Sequence, residues 1–165
     1  MLAVLAAAIF LVACGGDEDS SSSSSSSDVT PEEEMQAVSD TTISYLRATV
    51  SGQGEEACAH LVPAAQEQII DDYNASNLAT FQGVDATSCE QVIESFGDFL
   101  AENAGQSEAE LIQGVEQTTG PEEVELSSDT AAAITVDQGE EPPLDFELVK
   151  EDDAWLLTEP YVTFT

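Results

Sequence analysis

The sequence predicts an α+β domain with helices first and an antiparallel sheet second. Between residue 31 and about residue 103, apolar side chains recur at three- and four-residue spacing, the period of amphipathic helices. After about residue 111 the period changes to two, in short runs parted by turn clusters, as in a meander with one face on a core.

The first helix opens at Thr30-Pro31-Glu32-Glu33, where threonine can cap, Glu33 can reciprocate and proline suits the first helical position. Met35, Val38, Thr42, Tyr45, Leu46 and Val50 form its apolar face, and Ser51-Gly52-Gln53-Gly54 stops it. A short helix from Glu55 to Leu61 should present Cys58 and Leu61 on one side. Pro63 starts another, with Ile69, Ile70 and Tyr73 inward, and residues 74–86 read as a loop. Thr87 and Glu90 suggest a second capping box ahead of Val92, Ile93, Phe96, Phe99 and Leu100, which end near Asn103-Ala104-Gly105. The strands expected next are Val124 to Leu126, Ala131 to Val136, Leu144 to Lys150 and Ala154 to Thr158, with turns at Ser127 to Asp129, Gly139 to Pro143 and Glu151 to Asp153. Pro160 interrupts before a last apolar piece, Tyr161 to Phe164.

The segment preceding the domain has a different character. Leu2 to Ala13 is an uncharged apolar run, too short for a bilayer-spanning helix of about 20 residues but suited to the hydrophobic region of a signal peptide. It ends in Leu11-Val12-Ala13-Cys14-Gly15-Gly16, which resembles a bacterial lipobox and implies cleavage before Cys14 and a lipid on its sulfur. Asp17-Glu18-Asp19 and the serines from Ser20 to Ser27 then form a polar stretch that behaves as a flexible tether. The expected organisation is a signal peptide over 1–13, a lipidated cysteine and tether over 14–30 and a domain over 31–165. Signal peptides open on Lys or Arg, and none precedes Cys14. The expectation is a start further upstream, which leaves the export route unread.

Thirty-four acidic residues face two basic ones, Arg47 and Lys150, for a formal net charge of −32. Such a surface repels phosphate backbones and anionic headgroups, which excludes nucleic-acid binding. Apolar residues make up 42 % of the chain, enough for a folded core. A core under that much self-repulsion relies on counterions, as expected of a protein from a salt-tolerant or halophilic source. No calcium-loop spacing occurs among the acids, and no metal or other cofactor is expected.

With Cys14 assigned to lipid, Cys58 and Cys89 remain in an oxidising compartment. They form either a disulfide, closing a loop of roughly 30 residues and contributing about 3 to 4 kcal/mol by chain entropy, or two buried free thiols. A metal site has little support, since no C-x-x-C occurs and His60 is the single histidine.

Several segments together look like the nuclear transport factor 2-like superfamily, in its small exported bacterial lipoprotein type. They are Ser51-Gly52-Gln53-Gly54-Glu55 after a long first helix, then Ala57-Cys58-Ala59-His60-Leu61-Val62-Pro63-Ala64-Ala65, the helix opening at Ser88-Cys89-Glu90, and the tail Phe146 to Leu157 with its strand, turn and Trp155-Leu156-Leu157. The likeness covers about residues 31–160. It implies a cone of about three N-terminal helices wrapped by a curved antiparallel sheet, a pocket at the wide end, and a Cys58–Cys89 bridge. The superfamily contains isomerases, dehydratases, cyclases and catalytically silent binding domains, so it does not settle function. The isomerases' tyrosine and paired aspartates do not map onto this chain, and no catalytic residue carries over.

His60 offers a general base or a half-buried helix residue, and Tyr45 a pocket hydroxyl or a core ring. Arg47 offers an anion contact or a partner for nearby acids. Trp155 is expected in the core or in the pocket wall. Asn74-Ala75-Ser76 matches a glycosylation sequon by a pattern that arises often by chance. The candidate pocket residues are therefore Tyr45, His60 and Trp155. The reading that unites these features is a lipoprotein on the outer face of the cytoplasmic membrane, held by its lipid, whose domain binds a small ligand or an envelope partner without chemistry. The alternatives are an acid/base enzyme of isomerase or dehydratase type and a structural or accessory envelope protein acting as a homodimer.

Overall fold

The computed structural model describes residues 29–83, 85–103, 123–136 and 142–161, with positions 109, 112–114, 117 and 120 between them. Cys14, the leader over 1–13 and the tether over 14–30 except its last two residues lie outside the described residues, as do positions 162–164 of the last apolar piece.

Helix α1, Pro31–Val50, begins with both halves of the expected capping box: the Glu33 N–H donates to the Thr30 hydroxyl, and the Glu33 carboxylate accepts from the Thr30 N–H. Glu32, Glu33 and Glu34 in its first turn and Arg47 in its last complement the helix dipole. Its buried positions are Val38, Ser39, Thr42, Tyr45, Leu46, Ala48 and Thr49, wider than one stripe. The reason is tertiary: α1 contacts both the sheet and two other helices, so small polar residues are needed alongside the large apolar ones.

Helix α2, Gly54–Ala59, is shorter than the expected Glu55 to Leu61. Val62 precedes Pro63 and is extended (φ −62°, ψ 154°), because the proline ring disfavours a helical neighbour. Leu61 instead forms a parallel bridge to Leu157, flanked by bonds from the Val62 N–H to the Leu157 carbonyl (3.0 Å) and from the Leu157 N–H to the His60 carbonyl (2.9 Å). Helix α3, Pro63–Ala75, buries Ala65, Ile69 and Tyr73.

The stretch 74–86 is not wholly a loop: α4, Asn77–Gln82, lies within it, capped by the Ser76 hydroxyl and closed by Gly83 at φ +70°. Six residues are too few to show a helical period, so only the flanking serine and glycine announce it. Helix α5, Cys89–Asn103, is capped one residue later than expected. Ser88 Oγ accepts from the Gln91 N–H, and the Gln91 amide oxygen accepts from the N–H and hydroxyl of Thr87. The sheet runs β1 Val124–Ser128, β2 Ala131–Val136, β3 Leu144–Glu151 and β4 Ala154–Leu157, a four-stranded antiparallel meander in chain order. An irregularity in the register between Leu126 and Ser128 moves the first turn to Asp129 and Thr130.

The chain is thus α+β, with helices packed on a four-stranded antiparallel sheet; five helices are delimited rather than about three, and positions 109, 112–114 and 117 are helical as well. Three are long, α1, α3 and α5, and two have six residues each. The core joins Val124, Ala132, Ile134, Val136, Phe146, Leu148, Trp155 and Leu157 of the inner sheet face to Val38, Tyr45, Ile69, Tyr73, Val92 and Ile93 of the helices.

Cys58 and Cys89 form a disulfide that ties α2 to α5, with their Cα atoms 6.1 Å apart. The same two segments meet at glycines. A methyl on Gly54 would lie 2.5 Å from the Glu90 carbonyl oxygen, and one on Gly97 would overlap the Cα of Gly52. Backbone therefore touches backbone along two turns of α5, an approach that only glycine permits.

Candidate functional site

An antiparallel meander puts its first and third turns at one end. Here those are Asp129-Thr130 and Asp152-Asp153, and the first turn of α1 lies at the same end. The three segments enclose a half-open groove of about 640 Å³, within the usual size range of ligand sites. Leu126, Pro31 and Val29 form its apolar lining with the exposed edge of Trp155, while Glu34, Lys150, Asp129 and Asp153 supply charge.

Glu34, Lys150 and Trp155 make a connected cluster. Along β3, Leu144, Phe146, Leu148 and Lys150 share one face, so the lysine occupies the last inward position of a core-facing strand. Its partner in register is Trp155 on β4. A buried-side lysine needs a counter-charge, and Glu34 provides it: Oε1 accepts from Lys150 Nζ while Oε2 accepts from Trp155 Nε1 at 2.8 Å. Side-chain exposure is 18 % for Lys150 and 16 % for Glu34. The ammonium also lies 5.7 Å from the centre of the indole, in range of a cation–π contact. The Lys150 hydrogen bond, then that of Trp155, holds the Glu34 carboxyl below its ordinary range despite partial desolvation.

A second concavity, shallower and about 520 Å³, lies over the α1–α2 turn and α5. Gly52, Gly54 and Ala59 floor it and Glu55, Glu56 and Glu94 surround it.

The three expected pocket residues occupy different places. Trp155 lines the groove, though only 4 % of its surface is exposed. Tyr45 is fully buried; its hydroxyl accepts from the Tyr161 N–H at 2.9 Å, and burial pushes its pKa up to about 12. This bond pins the segment after β4 to α1, helped by the Tyr161 ring 6.1 Å from that of Phe146. His60 closes α2 and is half-buried; burial lowers its pKa, and Glu56 partly opposes the shift. It borders neither concavity. Asn74, the sequon residue, is a structural clamp: its side-chain amide donates to the Ala86 carbonyl at 2.9 Å and accepts from the Ala86 N–H at 2.8 Å.

Glu34 and Lys150 escaped the sequence reading as site residues. The strand parity that puts Lys150 on the core face was visible, but the distant carboxylate that meets it, 116 residues away, was not. Among the described residues, no group of three or more His, Cys, Asp or Glu side chains is arranged to hold a metal ion. Nor is any described helix long and apolar enough to cross a membrane. The carboxyls of Glu33, Glu34 and Glu90 are all lowered by hydrogen bonds, which suits acceptors rather than proton donors near neutral pH. No protein-family model matches the chain, and neither a curated protein nor a solved structure does.

Proposed function

We propose that this chain is a lipid-anchored extracytoplasmic lipoprotein whose domain, a nuclear transport factor 2-like cone, binds a ligand or an envelope partner and performs no chemistry. The observation that carries the binding reading is the groove itself. It has a usable volume, a lining in which Leu126, Pro31, Val29 and Trp155 alternate with polar side chains, and a few convergent charges. Its central carboxylate, Glu34, is committed to Lys150 and Trp155 rather than poised to move a proton. Support for the cone comes from helices gathered on one face of a four-stranded antiparallel sheet and from the α2–α5 disulfide. Support for export comes from the disulfide, which belongs to oxidising compartments, and from the leader and lipobox-like Cys14.

A homodimer is the second reading, and one observation favours it. On the outer sheet face Ala131, Val149 and Leu156 lie side by side in register and are only partly covered. The envelope-partner form of the binding reading could use the same face.

The full chain tests the anchor and the binding. Wild type should sediment with membranes as a processed, lipid-modified protein, and Cys14→Ala should stay unprocessed or be released. Retention of a processed Cys14→Ala protein would refute the lipid. Organic extraction of the purified wild type, followed by mass spectrometry, should yield one stoichiometric small molecule if the groove is loaded in the cell. A clean extract moves the weight to the partner-binding form.

A further inference from the structure

We propose that the first turn of α1 is a lid over the groove, latched by Glu34 on Lys150 and Trp155, an inference that rests on the binding reading above. Val29, Pro31 and Glu34 form one side of the groove, and the ends of β1, β3 and β4 form the other.

Burial along α1 shows what holds its side in place. Val38 is the first fully buried residue of the helix. Residues 29–33 are exposed, and Met35 and Ala37 are only partly covered. Glu34 lies one turn before Val38 on the same face. The apolar seam between helix and sheet therefore gives way to a polar contact at this end. The sheet changes in step, because Lys150 follows Leu148 as the last inward residue of β3.

Across the groove Glu34 accepts two hydrogen bonds, one from Lys150 and one from Trp155 at 2.8 Å. The backbone adds little, because the first N–H groups of a helix have no carbonyl within it to bond. Here the Glu34 N–H donates to the Thr30 carbonyl at 3.0 Å. The Thr30–Glu33 capping box is internal to the turn and moves with it. A helix end fastened mainly by one polar side chain opens at far lower cost than the whole helix. Closed, the turn leaves Trp155 only 4 % exposed. Open, it withdraws the Glu34 carboxylate and frees the Lys150 ammonium and the indole N–H to face an entering ligand.

The test uses the full chain in detergent at neutral pH. Glu34→Gln keeps the side-chain volume but offers one acceptor oxygen in place of two, and no charge. Lys150→Met keeps an aliphatic stem and removes the ammonium. Glu32→Gln takes the same charge from an exposed position of the same turn. Two quantities are read: hydrogen exchange of single amides by NMR at low urea, and quenching of Trp155, the sole tryptophan, by acrylamide. In wild type the amides at positions 34–36 should exchange with little dependence on urea, since a local opening exposes little surface. Those of Thr42, Tyr45 and Leu46 should be slower and depend steeply on urea. Both latch variants should speed exchange at 34–36 about tenfold, the effect of one charge-assisted bond at a partly exposed site. Acrylamide should quench Trp155 more strongly in both, and Glu32→Gln should match wild type. Steep urea dependence retained in the middle of α1 shows that the variants fold.

Exchange at 34–36 that follows the middle of α1 in rate and urea dependence would mean that the turn opens only with the whole helix. Exchange unchanged in both latch variants would mean that Glu34 is no latch, and unchanged quenching that the turn covers nothing. Any of these results overturns the proposal. None of the readouts needs a bound ligand. A clean extract in the experiment above, beside the results expected here, would set aside the small-ligand form of the binding reading and leave the lid standing.

Discussion

Replacing Gly97 by alanine tests the packing of the helical half, because two effects of opposite sign meet at that position. In an exposed helix interior, glycine to alanine stabilises by about 1 kcal/mol, since alanine loses less backbone entropy on folding. Gly97 is buried inside α5, and a methyl there would overlap the Cα of Gly52 and stand 2.7 Å from the Gly52 nitrogen. Both obstacles are backbone, so no side chain can swing aside. Gly52 is itself fixed, at φ +65°, in a turn where the Gln53 N–H donates to the Ala48 carbonyl at 2.8 Å. The helices cannot simply part, because the Gly54–Glu90 contact and the Cys58–Cys89 bridge hold the same two segments further along. Overpacking of this kind costs about 1 to 3 kcal/mol, and a backbone clash belongs at the upper end. After subtracting the propensity gain, the variant should be less stable by about 2 kcal/mol. At a urea slope of about 2 kcal/mol/M, the unfolding midpoint should fall by about 1 M. A midpoint that rises would mean that α5 does not touch the turn, and the glycine argument would fail.

Three other perturbations have expected outcomes. Cys58→Ser/Cys89→Ser opens a bridge of sequence separation 31 and should cost about 3 to 4 kcal/mol in urea unfolding; a loss below about 1 kcal/mol would show that the loop is restrained without the bond. Glu34→Gln should destabilise at neutral pH by leaving Lys150 without its counter-charge. Because the folded Glu34 pKa is depressed, its contribution is present above the unfolded value, near 4.5, and is lost as pH falls through the folded value. Wild type and variant should therefore converge in acid, and a gap that persists below the depressed folded value of Glu34 would rule out the pairing as its cause. Finally, lowering salt below roughly 0.1 M should lower the melting temperature, since self-repulsion at −32 is then less screened. A salt-independent melt would count against salt adaptation.

Local chemistry made much of the fold legible. The Thr30/Glu33 box, the proline starts at Pro31 and Pro63 and the two-residue alternation from Leu144 to Lys150 are encoded by neighbours in sequence, so periodicity and capping reveal them. The disulfide was one of two readings of Cys58 and Cys89, and the packing of α2 on α5 brings it about. What escaped was short or remote. Helix α4 is shorter than two turns. Tyr45 reads as a core residue first and a pocket hydroxyl second, and Tyr161, 116 positions later, donates to its hydroxyl.

The groove marks the boundary between the two kinds of information. By itself the sequence determined that Lys150 falls on the core side of its strand, that Trp155 follows a tight turn and that Glu34 opens a helix, because each depends on a local period. Only the tertiary structure decided that these three meet, leaving Asp129 and Asp153 on either side of a neutral centre. The physical reason is that a strand's pleat fixes which way a side chain points, whereas its partner depends on how α1 lies across the sheet. That placement is set by the summed burial of Val38, Tyr45 and the inner strand residues rather than by any one of them.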